Sequence, residues 1–164
     1  MSRLVRIVSG GQTGVDRAAL DFAITHGLDY GGWCPNGGWA EDFPDPPGLM
    51  TKYPSLRETP ERDTRQRTEW NVRDSDATLV LTRSDASSPG TAFGIAAAET
   101  YAKPYLIIDI DAPDAVERIR AWLSENPAIG RLSIGGPRES EAPGIYAAAL
   151  GLLSRLLRFE MQQS

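Results

Sequence analysis

The stretch VSGGQTGVDRAALDF, residues 8 to 22, joins a hydrophobic segment to a helix-forming segment through a glycine-rich loop. The apolar, β-branched run 4–8 predicts a strand, and the apolar residues after Gly14 recur at helical spacing. Glycine removes side chains where the backbone must turn tightly or approach a ligand. Because the first N–H groups of a helix carry partial positive charge, this junction predicts a loop that binds an anion.

Two later junctions repeat the order of strand, polar loop and helix. The segment ATLVLT, residues 77–82, predicts a buried parallel strand before the loop 84–91, and RLSIGG, residues 131–136, leads into the loop 136–144. Such alternation predicts an α/β fold, a Rossmann-like three-layer sandwich with a mostly parallel sheet and helices on both faces. Ligands of such folds bind at the carboxyl ends of the strands, so the three junctions are expected to line one rim.

The remaining elements follow from local signals. Before residue 77 we expect a helix that ends at Gly27, a weak strand at 30–33 and a short helix at 65–74. After it we expect a helix at 91–102, a strand at 105–110, a helix that begins at Pro113 and a last helix opened by Pro143. Residues 35–60 are rich in proline and glycine, which predicts an irregular excursion. With 164 residues, of which 41% are hydrophobic, the chain is expected to form one Rossmann-like domain over 1–164.

Charge and hydropathy exclude several classes of partner. The net charge of −5 argues against a general nucleic-acid binder, which needs a basic face. A small anion remains compatible, because charges further apart than roughly 8 Å are screened at physiological salt. The sequence has no apolar run long enough to span a bilayer, and Met1-Ser2-Arg3 does not begin a signal peptide. We therefore expect a cytoplasmic protein without a membrane partner.

Catalytic and metal motifs are also missing from the sequence. One histidine, His26, and one cysteine, Cys34, cannot assemble a conventional zinc site or an internal disulfide. The loop GGQTG lacks the GxGxxG spacing of dinucleotide-binding proteins, and no lysine follows it as in a P-loop. A dehydrogenase or an NTPase is therefore not expected, and no residue is assigned as catalytic or as a metal ligand.

Fourteen residues are the candidates for binding a small ligand: Gly10, Gly11, Gln12, Thr13, Gly14, Asp16, Arg17, Trp33, Arg67, Ser87, Ser88, Gly90, Thr91 and Arg138. In the loops 10–14 and 87–91, each hydrogen bond to a charged group contributes about 1.5–3 kcal/mol. This is more than the contribution of the helix dipole, about 0.3–1 kcal/mol. Two such loops around a phosphate are compatible with micromolar affinity, about −8 kcal/mol. A purely structural role of these loops is the alternative, since glycines are common in βα turns and Thr13 or Ser88 can simply cap a helix.

The charged and aromatic candidates have alternative uses as well. A carboxylate at Asp16 favours the helix dipole, or it accepts from the N–H groups of a heterocycle. The guanidinium groups of Arg67 and Arg138 suit phosphate, although a run of charges is usually a solvated helix face. Arg17 can either face solvent or contact a ligand. Trp33 can stack on a planar ring or pack in the interior.

The segments IVSGGQTGVDRAALDFA, GGWCPNG, RQRTEWNVRDSDATLVLT, PGTA, KPYLIID and GPRESEAPGIY together carry a family resemblance. The chain resembles the molybdenum cofactor carrier proteins, a circularly permuted branch of the superfamily of lysine-decarboxylase-like, cytokinin-activating phosphoribohydrolases. The resemblance extends over nearly the whole sequence, and the first and last of these motifs are the specific ones.

The resemblance implies a Rossmann-like fold, self-association as a dimer or tetramer, and binding of the phosphorylated pterin of molybdenum cofactor or of another phosphate ligand. Molybdenum in that cofactor is held by the dithiolene of the pterin, so a carrier needs no metal ligands of its own. The resemblance assigns the phosphate to the glycine-rich loops with Thr13, Ser88 and Thr91. One departure bears on activity: the hydrolases carry a catalytic glutamate three residues after the threonine of their PGGxGTxxE motif, and Gly94 stands there in this chain.

Three functions follow in order of preference. The first is a carrier or store of molybdenum cofactor. The second is a sensor or binding module for another nucleotide-like phosphorylated ligand. The third is a hydrolase of the N-glycosidic bond of nucleotides.

Overall fold

The computed structural model describes residues 4–161, with side chains through residue 157; the start Met1 to Arg3, on which the targeting expectation partly rests, lies outside the described residues. The strands are β1 (Arg6–Val8), β2 (Asp29–Cys34), β3 (Leu56–Glu58), β4 (Ala77–Thr82), β5 (Tyr105–Asp109) and β6 (Arg131–Gly135). The helices are α1 (Val15–Thr25), α2 (Leu49–Lys52), α3 (Thr64–Arg73), α4 (Pro89–Thr100), α5 (Ala115–Glu125) and α6 (Ile145–Met161). No helix among residues 4–161 is long and apolar enough to cross a bilayer.

The six strands form one sheet in the order β3-β2-β1-β6-β4-β5, and every pair in it is parallel. Chain order runs outward from β1 to β3 on one side and from β4 to β5 on the other, with the last strand, β6, between the two halves. The predicted α/β class and parallel sheet are confirmed. Because the order reverses at β6, the crevice for a ligand is expected beside that strand.

The two faces of the sheet are covered by different helices. Helix α6 packs against α1 and α5, whereas α3 packs against α4. Side chains alternate along a strand, so Leu79 and Leu81 of β4 join the apolar core on the α1, α5 and α6 side. Thr78 and Val80 alternate with these leucines and face α3 and α4. One face of β4 therefore completes the core, and the other is left to form a site.

The proline-rich excursion carries more order than its composition indicates. It contains the four-residue helix α2 and the edge strand β3, which pairs with β2 through Trp33↔Arg57 and its neighbours. Leu49, Tyr53 and Leu56 are buried in a small cluster with Leu20 of α1. Three separated apolar residues are too few to produce a periodic signal, so local sequence could not reveal a strand whose paired residues lie 24 positions away.

The sequence predicts one helix end at Gly27 and one helix start at Pro143, and the structure tests both. Gly27 adopts a φ of +67° after α1, and the N–H of Leu28 donates to the carbonyl of Ala23 at 2.8 Å, which is the pattern of a Schellman motif. The prediction at Gly27 is therefore confirmed. The prediction at Pro143 is wrong, because Gly144 follows with a φ of +89° and α6 begins only at Ile145.

Candidate functional site

A cavity of about 310 Å³ lies at the carboxyl ends of the central strands, between α3, α4 and the loop after β1. All three strand-to-helix junctions contribute to it, through Gly10 and Gln12, through Ser88 to Thr91, and through Gly136 and Arg138. Eight of the candidate residues line this cavity: Gly10, Gln12, Asp16, Arg67, Ser88, Gly90, Thr91 and Arg138. The size falls within the range of small-molecule sites, roughly 300–1,000 Å³.

Arg67 of α3 is the buried cation of the cavity. Its side chain is 9% exposed, and Nε donates to the carbonyl of Thr64 and to the hydroxyl of Thr68, each at 3.2 Å. Its Nη1 donates to the carbonyl of Gly10 at 3.3 Å, and a Cβ at that glycine would lie 2.4 Å from the same nitrogen. A side chain at position 10 would displace the Arg67 guanidinium, so the first glycine of the loop leaves room for this cation.

Asp16 supplies the carboxylate of the same cavity. Its Oδ2 lies 3.8 Å from Arg67 Nη1, and its side chain is 14% exposed. Burial raises the pKa of Asp16 to about 6, against the opposing attraction of Arg67 and of the backbone N–H groups of Gly136 and Gln12. A carboxyl group with so strongly perturbed a pKa, in a cleft and beside a cation, is typical of a functional site.

Gln12 is oriented by the loops around it. Its Oε1 accepts hydrogen bonds from the N–H groups of Thr13 at 3.1 Å and Glu41 at 3.0 Å. These two donors assign Oε1 to the loop side, so Nε2 is the remaining polar atom. Nε2 is buried and has no hydrogen-bond partner among the described residues.

The start of α4 forms the opposite wall. The Ser88 hydroxyl accepts from the Thr91 N–H at 3.3 Å and from the Thr91 hydroxyl at 2.7 Å, and it donates to Glu141 at 3.3 Å. The Ser88 hydroxyl therefore caps α4, as one of the two interpretations of this loop predicted, and the Thr91 hydroxyl donates to that cap. Gly90 is exposed, and a Cβ there would have no atom within 4 Å, so the backbone at Gly90 is open to a ligand, whereas the N–H of Thr91 is bonded to Ser88.

The N-terminus of α1 is closed instead. The N–H of Val15 donates to the carbonyl of Pro137 at 3.2 Å, and a Cβ at Gly14 would lie 2.3 Å from that oxygen. Glycine is needed at position 14 for this close approach and for its φ of +79°. The expectation that the first N–H groups of α1 are free is therefore wrong for Val15, because the loop after β6 covers them.

Six candidates lie outside the cavity lining: Gly11, Thr13, Gly14, Arg17, Trp33 and Ser87. Arg17 forms a two-pronged ion pair with Asp42, each bond 2.7 Å, and its Nε donates to the carbonyl of Gly11 at 3.0 Å. The guanidinium also stacks over Phe43 and Tyr53. These contacts attach the excursion to α1, so Arg17 has a structural role in this fold.

The other outlying candidates are held by equally specific contacts. The Thr13 hydroxyl bonds to Glu41 and accepts from the N–H of Glu139. Trp33 packs edge-on against Trp70 and donates from its indole nitrogen to Asp74 at 2.8 Å. Gly11 faces the small apolar cluster, where a Cβ would lie 3.1 Å from Leu56 and 3.2 Å from Leu49. Ser87 is exposed beside the cavity.

The floor of the cavity was not predicted from the sequence. Thr78 and Ser133 are paired across β4 and β6, are buried, and line the cavity together with Phe93 of α4. The Thr78 hydroxyl has no hydrogen-bond partner among the described residues. The sequence does place a threonine, Thr78, at an alternating position of an apolar strand. Only the position of β6 beside β4 makes this threonine part of the cavity floor.

A parallel sheet that reverses its order at β6, with a cavity at that point, defines a Rossmann-like fold with a candidate ligand site. The sequence matches the circularly permutated YpsA SLOG family over residues 7–157, and the chain belongs to that family. It is also similar to the crystal structure of a protein from Syntrophus aciditrophicus SB named "Putative molybdenum carrier protein", with 43% identity and a TM-score of 0.85. That match covers 95% of this chain and 96% of the other, and no curated protein matches significantly. The family resemblance carried by the sequence motifs is confirmed.

Proposed function

We propose that the cavity binds a phosphorylated small molecule and that its cargo is molybdenum cofactor. The observation that carries the proposal is the buried Arg67 guanidinium in a cavity that the open start of α4 also lines. An arginine fork and the backbone N–H groups of a helix start are the two groups that proteins commonly use for phosphate. The related protein named as a molybdenum carrier supports the choice of cargo.

The chemistry of the lining fits such a cargo. Val72, Val80 and Phe93 provide an apolar and aromatic surface for a planar ring, and polar groups surround it at Gln12 and Asp16. The metal is carried by the dithiolene of the cofactor, so the protein is required only to hold the organic part. In this proposal the chain binds, orients and shields its ligand without changing it.

The test is direct titration of the purified full chain with molybdopterin and with inorganic phosphate. Arg67→Met removes the guanidinium at similar volume, and we expect affinity for both probes to fall roughly 10- to 100-fold. Arg62→Met is the matched control, since Arg62 is an exposed arginine that does not line the cavity. Absence of binding by the wild-type chain, or equal loss in both variants, contradicts the proposal.

A nucleotide N-glycosidic hydrolase is the second candidate, and the perturbed Asp16 carboxyl beside Arg67 favours it. At the hydrolase glutamate position, Gly94 is buried in α4, where a Cβ would lie 3.4 Å from Thr68. Incubation with nucleoside monophosphates measures this activity directly. Release of free base that is lost in Asp16→Asn would favour the enzyme over the carrier.

A further inference from the structure

Two neighbouring groups on α1 and its loop present an ordered set of hydrogen-bonding atoms to the cavity. Gln12 is 3% exposed, its Oε1 is used by two backbone N–H groups, and its Nε2 lacks a partner among the described residues. The Asp16 carboxylate accepts from the backbone N–H of Gln12, and both residues line the same cavity. Together they offer two acceptor oxygens beside one donor nitrogen.

The carboxylate also has room on its cavity side. Gly135 ends β6 directly beneath it, and a Cβ there would lie 3.5 Å from Asp16 Oδ1. The absent side chain leaves the oxygen accessible from the sheet face that lines the cavity. The ion pair with Arg67 is long, 3.8 Å, and the backbone N–H groups of Gly136 and Gln12 use only part of the roughly four acceptor positions of the carboxylate.

We propose that Asp16 and Gln12 recognise the 2-amino-4-oxo edge that pterins share with guanine. That edge presents an amino donor, a ring N–H donor and a carbonyl acceptor in a row. The two donors match the Asp16 oxygens, and the carbonyl matches the Gln12 Nε2. Adenine, with an amino donor beside an unprotonated ring nitrogen, leaves one carboxylate oxygen facing an acceptor, and this arrangement is penalised.

This inference rests on the proposed function, because it places the ring of the phosphorylated ligand in the same cavity. Phe93 lines the cavity and offers an aromatic face for such a ring. The phosphate would then lie toward Arg67 and the start of α4. Asp16 and Gln12 would select the ring, while Arg67 would act on any phosphorylated ligand regardless of its ring.

The test is calorimetric titration of the full chain with GMP, IMP, AMP and ribose 5-phosphate. We expect GMP to bind at least about tenfold more tightly than AMP, with IMP between them because it lacks only the amino donor. Asp16→Asn should reduce GMP affinity roughly 10- to 100-fold relative to AMP and ribose 5-phosphate, whose own affinities should not fall because a negative charge next to Arg67 has been removed. Glu117→Gln is the matched control, since Glu117 occupies the first turn of α5 outside the cavity.

A switch in preference separates recognition from a structural role of Asp16. Asparagine keeps one acceptor and gains one donor, which suits the 2-oxo edge of xanthosine monophosphate. Asp16→Asn should therefore bind this nucleotide more tightly than GMP, the reverse of the wild-type order. A variant that merely misfolds would lose both nucleotides together with ribose 5-phosphate, and circular dichroism would report the loss of fold.

The outcomes also separate this inference from the proposed function. Equal binding of GMP, AMP and ribose 5-phosphate overturns ring recognition while the phosphate site stands. Binding of guanosine as tight as that of GMP supports ring recognition and contradicts the phosphate anchor. Binding of none of these probes overturns both.

Discussion

Arg67 Nη1 lies 3.8 Å from Asp16 Oδ2, and the two side chains are 9% and 14% exposed. The attraction between them is weaker than the cost of burying the carboxylate, so the pKa of Asp16 rises to about 6 instead of falling. Burial also acts on Arg67, whose pKa it lowers, but the guanidinium remains charged. The cavity therefore holds a permanent cation beside a carboxyl group that changes charge near neutral pH.

We expect sulfate to bind more tightly as pH falls from about 7.5 to about 5, because protonation of Asp16, with its pKa of about 6, removes a negative charge next to Arg67. Sulfate keeps its own charge over this range, so the change reports on the protein. Titration calorimetry at several pH values measures it. In Asp16→Asn the pH dependence should vanish, and an unchanged slope in this variant would assign the effect to another group.

Gly14→Ala should destabilise the fold far more than Gly27→Ala. Both glycines have positive φ, +79° and +67°, so both substitutions strain the backbone by about 1–2 kcal/mol. A Cβ at Gly14 would also lie 2.3 Å from the Pro137 carbonyl, whereas one at Gly27 would have no atom within 4 Å. We expect a loss above about 3 kcal/mol at Gly14 in urea unfolding. Equal losses would show that the loop after β6 moves freely.

Arg17→Met should lower the free energy of unfolding by about 1–3 kcal/mol, since it leaves the buried carbonyl of Gly11 without its donor and removes the ion pair with the exposed Asp42. Sulfate affinity should remain unchanged, because Arg17 lies outside the cavity. Denaturant unfolding and calorimetry on the same samples separate the two effects. A fall in sulfate affinity as large as that in Arg67→Met would place Arg17 in the binding site.

Thr78→Val should stabilise the ligand-free protein by about 1 kcal/mol, because it replaces a buried hydroxyl that lacks a partner with a methyl group of similar size. Thr59→Val is the matched control. Thr59 is also fully buried, but its hydroxyl donates to the carbonyl of Glu61 at 2.9 Å, so this change should destabilise. Thermal unfolding of both variants measures the contrast, and a loss at Thr78 equal to that at Thr59 would reveal a bonded hydroxyl.

Local sequence predicted the elements of the sheet because each strand and helix carries its own periodic pattern. The strand at residues 77–82 and the glycine stop at Gly27 were both confirmed. Residues on one loop were harder to assign. Gly10 and Gly11 are adjacent, yet one makes room for the Arg67 guanidinium and the other faces Leu49 and Leu56. Nothing in the local pattern distinguishes them, because their neighbours come from distant segments.

The amino-acid sequence by itself determined the α/β class, the strand-to-helix junctions and the family, since these depend on local periodicity, turn residues and motifs. Only the tertiary structure decided which polar side chains share the cavity. Arg67 reaches Gly10 across 57 positions, and β6 enters the centre of the sheet to place Ser133 beside Thr78. The direction of a side chain at a loop or helix start is set by long-range packing, so Arg17 and Asp16, neighbours in sequence, bind different partners.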